Sequence, residues 1–294
     1  MSSGLSRGQR VFEIFNIVFL TLAAFACLVP FIHIVAVSFS NSAAVQGGMV
    51  NLWPVNFTIE PYKYVMERGE FWRSFGTTLQ RVAIGATLNV LLVVLTAYPL
   101  SKSVRKLKAR TIYVWIFFFV MLFNGGLIPN YLLVKELNLL NTIWALVLPG
   151  AVPVFSVILM LNFFREIPDE LEEAAYVDGA GHWRILFQMY IPLSLPAVAT
   201  ISLFAIVGHW NTWFDGLIYM KSENYPLQTY LQTIISSFQN MESLSATDLM
   251  SLANLNDRSI KAAQLILGAL PVLCVYPFLQ KYFVKGIRLG GVKG

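Results

Sequence analysis

The sequence predicts an all-α polytopic membrane protein with six transmembrane helices. Hydrophobic residues make up 56% of the chain and charged residues only 13%, whereas soluble domains carry about 25% charged residues. Three stretches without Asp, Glu, Lys, Arg or His, 111–134, 143–164 and 262–280, have roughly the 20 residues that span a bilayer as a helix. Backbone groups inside lipid must be paired within the protein, which helices achieve. The short alternating segments of an outer-membrane barrel do not dominate.

The whole chain, 1–294, is predicted to form a single transmembrane domain. The predicted spans are 12–38, 74–100, 111–134, 143–164, 197–220 and 262–280. The first span continues far beyond the length of a signal peptide and lacks a small-residue cleavage site, so we interpret it as a retained span. Cys27 and Cys274 both lie in apolar runs, which indicates small buried hydrophobes rather than a disulfide or a metal site.

Glycines and prolines predict two irregular spans. Asn124, Gly125 and Gly126 are expected to break the third span, and Pro149 and Pro153 are expected to interrupt the fourth. Irregular backbone at membrane depth is tolerated where it lines a cavity. These segments are therefore candidates for the lining of a pathway.

The distribution of Lys and Arg predicts the orientation, because cytoplasmic loops carry more of both. Thirteen of the 21 lie in the two terminal segments and in loops 101–110 and 165–196, seven lie in the opposite loops, and Arg81 lies within the second span. Both termini are therefore predicted to be cytoplasmic. The net charge of +5 follows from this bias, and no basic and aromatic patch indicates a nucleic-acid partner.

Loop 165–196 departs from this pattern because it is acidic. A short helix is predicted over 168–178, with Pro168 at its first position and Gly179 at its end. Its apolar side, which includes small alanines, leaves room for another surface. A second helix over 182–190 is predicted to carry one aromatic and aliphatic stripe, formed by Trp183, Leu186, Phe187 and Tyr190. The six acids of the loop suit a basic cleft on a partner, although an ordinary solvated loop has the same pattern.

Glu173-Ala174-Ala175, followed by Gly179 and Ile191-Pro192, resembles the EAA motif of ABC importer permeases. Further segments are similar to sugar-importer permeases of the maltose type, in the lipoprotein-linked oligosaccharide subgroup that includes alginate importers. These segments are 123–129, Trp210-Asn211, 276–283 and 290–294. Met189 and Ile191 stand where the family usually has Ile and Leu, with little change of apolar volume.

The resemblance implies the type I ABC importer permease fold in a bacterial inner membrane, with loop 165–196 as a cytoplasmic coupling helix. It implies four partners besides membrane lipid: a homologous second permease, an ATPase homodimer, a periplasmic or lipid-anchored solute-binding protein and an oligosaccharide. The chain would not be catalytic and would hold no cofactor, since ATP and Mg would be bound by the ATPase. The implied ATPase-coupling residues are Glu172, Glu173, Ala174, Ala175, Asp178, Gly179, Ala180 and Pro192.

Polar side chains within spans are functional candidates, because placing them in lipid costs energy. Span five is predicted to carry Gly208, Asn211, Thr212 and Asp215 on one face and aromatic residues on the adjacent face. Amides, a carboxylate and aromatic rings together suit a sugar, although such aromatics also occur as interface anchors. The predicted substrate-path residues are Asn124, Gly125, Trp210, Asn211, Trp213 and Asp215. For an acidic saccharide such as alginate, Arg81 is the only candidate counter-charge.

Two other classes of protein compete with this interpretation. A proton-coupled secondary transporter of a small polar solute would need a chain of Asp, Glu or His within the membrane, and span five contains only His209 and Asp215, with Arg81 in span two. A membrane enzyme would need paired carboxylates, a nucleophile with its base, or a metal cluster, and none is evident. The chain also lacks a P-loop sequence, so an ATPase would be a separate subunit.

Overall fold

The computed structural model describes residues 7–67, 69–123, 125–239 and 257–290, and most of these residues are helical. The α-helices are α1 (Arg7–Ser38), α2 (Ser42–Gln46), α3 (Glu60–Met66), α4 (Gly69–Ser101), α5 (Arg110–Leu122), α6 (Leu127–Glu136), α7 (Ile143–Val147), α8 (Val154–Arg165), α9 (Asp169–Val177), α10 (His182–Ile185), α11 (Ile191–Leu193), α12 (Leu195–Asn211), α13 (Phe214–Tyr219), α14 (Leu227–Gln239) and α15 (Asp257–Gly290). A π-helix covers Leu186–Tyr190, and 3₁₀-helices cover Leu148–Gly150 and Ser222–Asn224. The predicted all-α class is confirmed.

Two helices are long and apolar enough to cross a membrane by themselves, α1 over Gly8–Ser38 and α4. Three bent pairs meet the same criterion together: α5 with α6, Ile143–Gly150 with α8, and His182–Leu193 with α12. The described residues thus provide up to five spans by length and composition. The sixth predicted span, 262–280, lies within α15, and the count of six stays a prediction.

The third and fourth predicted spans are broken at the expected places. Gly126 precedes α6 with φ of 88°, a left-handed conformation that suits glycine. Pro153 precedes α8, and the axis bends by 52° between Ile143–Gly150 and α8. Asn124 lies outside the described residues. Because proline has no N–H and glycine tolerates positive φ, these local breaks could be predicted from sequence.

The described residues form two compact units. One contains those of 1–69 and 233–269, and the other contains those of 70–232 and 270–294. The single domain over 1–294 stays a prediction. In the first unit the end of α1 packs on α2, and the Tyr62 hydroxyl donates to Ser38 Oγ over 2.8 Å. Most side chains of α1 before this end are exposed, as expected of a helix that faces lipid.

The apolar core of the second unit lies around the C-terminal half of α4. Val93 and Ala97 of α4 are buried against Met160 and Phe164 of α8, and Ile201 of α12 completes the same cluster. Tyr190 of the π-helix joins it as well. The segment that carries the acidic loop is therefore attached to the main core of this unit.

A buried polar stripe runs along α4. Thr78, Arg81, Gly85 and Asn89 are spaced by three or four residues and therefore share one face of the helix. Asn89 Nδ2 donates to the carbonyl oxygens of Gly150, at 2.8 Å, and of Ala151, at 2.9 Å. These carbonyls lie at the break before α8, so α4 supplies the donors that the interrupted helix lacks.

The same stripe also binds the start of α14. Thr78 Oγ1 accepts a hydrogen bond from the backbone N–H of Leu227 over 2.7 Å. Leu227 is the first residue of α14, and an N–H in the first turn of a helix has no partner within its own helix. One straight helix therefore satisfies backbone groups of two neighbouring segments.

We expect Asn89→Leu to lower the thermal stability of the detergent-solubilised protein. Two carbonyl oxygens lose their donor, and an unsatisfied buried polar group costs about 1–3 kcal/mol. Thermal unfolding followed by tryptophan fluorescence measures the change. Leu91→Ala, on an exposed side of the same helix, is the control and should shift the midpoint much less. Equal midpoints for Asn89→Leu and the unaltered protein would contradict this role.

Candidate functional site

The acidic helix α9 forms almost as predicted. It begins at Asp169, and Pro168 stands just before it in an extended conformation, with ψ of 137°, rather than inside its first turn. At its end Gly179 has φ of 77°, and the N–H of Ala180 donates to the carbonyl of Ala175 over 2.9 Å. A left-handed residue at this position is the usual glycine-terminated helix end. Gly179 therefore makes the turn that the motif implies.

The predicted ATPase-coupling residues fall into two groups. Five of them are exposed: Glu173, Ala174, Asp178, Gly179 and Pro192. Ala175 and Ala180 are half-buried against the core of the second unit, and Glu172 is completely buried. Leu171 and Val177 of α9 are also exposed, Val177 by 88%. The outer face of α9 thus combines acidic, small and apolar side chains. The acids suit a basic partner surface, and the small alanine leaves room for that surface to approach.

The second helix of the loop differs from its prediction. It consists of α10 followed by the π-helix. Leu186 and Tyr190 are buried, but Trp183 is 67% exposed and Phe187 is 51% exposed, so the predicted single stripe is wrong. Residues four apart still lie together, since Leu186 and Tyr190 are both buried and the exposed rings of Trp183 and Phe187 are stacked with centroids 6.2 Å apart. The four side chains therefore form two rows, one toward the core and one at the surface.

Glu172 is the centre of a buried ion-pair cluster. Its Oε1 lies 2.9 Å from Lys102 Nζ, and its Oε2 lies 3.0 Å from Lys106 Nζ. Tyr176 donates its hydroxyl to Oε1 over 3.1 Å, and the more distant hydroxyl of Tyr190 lies 3.4 Å from Oε2. The sequence predicted that all six acids of the loop face a partner, whereas Glu172 pairs within the chain. The available signal was the neighbouring loop 101–110, which has five cations and no acid.

The electrostatics of the cluster favour its ionised form. Burial alone would raise the pKa of Glu172, but its ion pairs with Lys102 and Lys106 leave that pKa below its ordinary value. Burial lowers the pKa of Lys102, and its ion pair with Glu172 opposes that change. The hydrogen bond to Glu172 raises the pKa of Lys106. A cavity of about 680 Å³ adjoins the cluster and is lined mainly by apolar and aromatic side chains.

A second polar site surrounds Arg81 in α4. Arg81 is 2% exposed, and its two terminal nitrogens donate to the two carboxylate oxygens of Asp215. Arg81 Nη1 also donates to the carbonyl oxygen of Thr212 over 3.1 Å. Thr212 lies at the break between α12 and α13. Arg81 therefore both neutralises Asp215 and satisfies a carbonyl that the break leaves without a helical partner.

The neighbouring histidine has a structural partner as well. His209 Nε2 lies 2.6 Å from Asn89 Oδ1. A Cβ on Gly85 would lie 2.5 Å from the same Nε2, so the imidazole can approach α4 only because residue 85 is glycine. Arg81, Asn89, His209 and Asp215 line a cavity of about 390 Å³. It is a mixed polar and apolar site of the kind that binds small polar ligands.

The predicted substrate-path residues are not all brought together. The prediction that Gly208, Asn211, Thr212 and Asp215 share one helical face is wrong, because α12 ends at Asn211 and Thr212 has an extended conformation. Asp215 lines the cavity with Gly208 and Thr212, whereas Asn211 is exposed and does not line it.

The remaining substrate-path residues occupy different environments. Trp210 is buried, with its ring 6.1 Å from that of Phe75. Trp213 is partly exposed, and Gly125 is exposed. Asn124 lies outside the described residues, and the role of all six in a substrate path stays a prediction.

Comparison with known proteins shows similarity to one family of membrane transport proteins. The family model for binding-protein-dependent transport system inner membrane components matches residues 95–289. Protein LplC of Bacillus subtilis (strain 168) is 40% identical, with 98% of this chain and 97% of that protein covered. The polygalacturonan/rhamnogalacturonan transport system permease protein YtcP of the same organism is 38% identical, with 97% and 99% covered.

A solved structure shows the same similarity in three dimensions. A chain in the crystal structure of a bacterial ABC transporter involved in the import of the acidic polysaccharide alginate is similar with a TM-score of 0.85 and 34% identity. The match covers 96% of this chain and all of that one.

We expect Arg81→Met to destabilise the protein strongly, because Asp215 is left charged and without its partner. Breaking a buried ion pair costs about 3–5 kcal/mol, and the partial exposure of Asp215 places this pair at the lower end. The double variant Arg81→Met with Asp215→Leu should recover much of the loss. Denaturation in detergent measures the free energy of unfolding of the single variant and of the double variant. Equal destabilisation by the single and double variants would show that the pair itself is not the reason.

Proposed function

We propose a function for this chain, which belongs to the family of binding-protein-dependent transport system inner membrane components. In this proposal it is the transmembrane subunit of an ATP-driven importer of oligosaccharides and forms half of the translocation pore. A homologous second permease forms the other half. The named relatives support a carbohydrate cargo, since one is a permease for polygalacturonan and rhamnogalacturonan and a similar structure belongs to an importer of alginate.

The observation that carries the proposal is the exposed face of α9. Glu173, Ala174 and Asp178 are exposed, and Gly179 ends the helix in the left-handed conformation that the motif requires. In our proposal this face is the coupling helix and fits a cleft on an ATPase subunit. Glu173 pairs with a basic residue or a backbone amide in that cleft, and the alanine allows close packing.

The proposed mechanism is alternating access. Two ATPase subunits hold ATP and Mg, and this chain contributes no catalytic group. ATP closes the ATPase dimer and moves α9 with it, which biases the membrane helices toward an outward-open state. A periplasmic or lipid-anchored solute-binding protein then delivers the oligosaccharide, and hydrolysis resets the pore. The basic loops and both termini face the cytoplasm, as the positive-inside bias predicts.

The polar site around Arg81 supports a pathway for hydroxyl-rich cargo better than a proton relay. Asp215 is bound to Arg81, and His209 is bound to Asn89. Each titratable group is thereby fixed to a separate partner, whereas a proton-coupled transporter would link such groups in a chain. Because Arg81 is neutralised by Asp215, we do not assign it the role of counter-charge for an acidic saccharide.

Transport assays in proteoliposomes test the proposal. Import by the complete assembly of both permeases, ATPase and binding protein should be abolished by vanadate. It should persist when an uncoupler collapses the proton gradient. Import that continues without any ATPase subunit would contradict the proposal and would favour a secondary transporter.

We expect Glu173→Lys and Gly179→Val to reduce coupled import while leaving membrane insertion intact. The first reverses a charge at the docking face, where the loss of one charged partner costs about 2 kcal/mol or more. The second places a branched side chain at φ of 77°, which costs about 1–2 kcal/mol. ATPase association in pull-downs and ATP consumed per molecule imported measure the effect.

Glu166→Gln is the control for these two variants. It removes an exposed acid of the same loop that lies outside α9 and its docking face, so import should be unchanged. Normal coupled import by both Glu173→Lys and Gly179→Val would refute the docking role of this face.

A further inference from the structure

The coupling helix has unusually little apolar attachment to its own chain. Of the nine residues of α9, Glu172 alone is buried. Leu171 and Val177 are exposed, and Ala175 is only partly buried against the core. Apolar packing normally holds a short helix in place. In α9 the principal internal attachment is instead a charged side chain.

Glu172 and Glu173 are adjacent, so their side chains point about 100° apart around the helix. Glu173 is exposed and Glu172 has no exposed surface. Both carboxylate oxygens of Glu172 are occupied, by Lys102 at 2.9 Å and by Lys106 at 3.0 Å. Two consecutive glutamates thus face different sides of the helix, one toward the surface and one toward the chain's own lysines.

The lysines connect α9 to the membrane helices. Lys102 directly follows α4, and its Nζ lies 4.0 Å from the ring centroids of both Tyr98 in α4 and Tyr190 in the π-helix. Tyr190 immediately precedes α11, which leads into α12. A buried cation between two aromatic rings is held in a fixed position. One charge cluster therefore joins α4, α9 and the entrance to α12.

We propose that Glu172 is a positioning residue that fastens the coupling helix to the end of α4 through Lys102 and Lys106. It does not contact the ATPase or the cargo itself. A displacement of α9 is passed to α4, and the polar stripe of α4 passes it to the breaks at Ala151 and Thr212. This inference rests on the proposed function for its mechanical role, while the fastening itself is a property of this chain alone.

Hydrogen exchange on the isolated chain tests the fastening without any partner. Glu172→Gln should accelerate exchange of the α9 amides, because an amide cannot ion-pair with two lysines. Lys106→Gln should have a smaller effect in the same direction, since the Lys106 side chain is 39% exposed and its loss leaves the Lys102 contact. Glu170→Gln is the control and should leave exchange unchanged. Exchange of α9 that is the same in all four proteins would overturn the proposal.

Coupling assays on the complete transporter test the mechanical role. With Glu172→Gln we expect the ATPase to remain bound, because the outer face of α9 is intact. The ATP consumed per molecule imported should rise by at least about fivefold, the lower end of typical couplings between sites. Lys106→Gln should raise the ratio of ATP consumed to cargo imported by less. Lys106→Arg keeps the positive charge and should give the ratio of the unaltered protein. A folding defect would not explain this difference between the two substitutions.

Two results separate the possible failures. If Glu172→Gln and Lys106→Gln accelerate exchange of α9 but leave the ATP-to-cargo ratio unchanged, the positioning role is overturned. If the unaltered assembly shows no ATP-dependent import, the proposed function fails. In that case the exchange experiment still decides whether the fastening exists.

Discussion

The second unit depends on one constraint: backbone groups at an interrupted helix still need partners where water is absent. The chain breaks its helices before α8 and after α12. Both breaks face the straight helix α4, where Asn89 and Arg81 bind the free carbonyl oxygens. Because each unsatisfied group would cost several kcal/mol in lipid, the irregular segments can exist only beside this stripe. Their irregularity creates the polar cavity.

Buried charges are paired at two places along α4, one within the helix and one just beyond its C-terminus. Arg81 is matched by Asp215 within the polar site, and Lys102 is matched by Glu172 beyond the end of the helix. A buried ion pair adds little net stability compared with apolar residues, but it fixes geometry and is costly to break. Both pairs join segments that are distant in sequence. They therefore fix how these segments are placed relative to one another.

Much of the local structure could be predicted from sequence. Composition predicted helices, and Gly126 and Pro153 predicted breaks, because each acts through its own backbone geometry. Gly179 likewise predicted the end of α9. The second helix of the acidic loop was predicted less well. Trp183 and Phe187 were predicted to share one stripe with Leu186 and Tyr190, but only Leu186 and Tyr190 are buried, and no local pattern signals the π-helix in this segment.

By itself, the sequence determined that this is a helical membrane protein with an acidic motif loop of the importer type, because composition and motif spacing are local properties. Only the tertiary structure decided which of two adjacent glutamates faces inward. Glu172 is buried because Lys102 and Lys106, in a different loop, lie on that side. The same holds for Arg81, whose partner Asp215 is 134 residues away. Pairing of charges depends on distance in space, and helical periodicity specifies only which residues share a face.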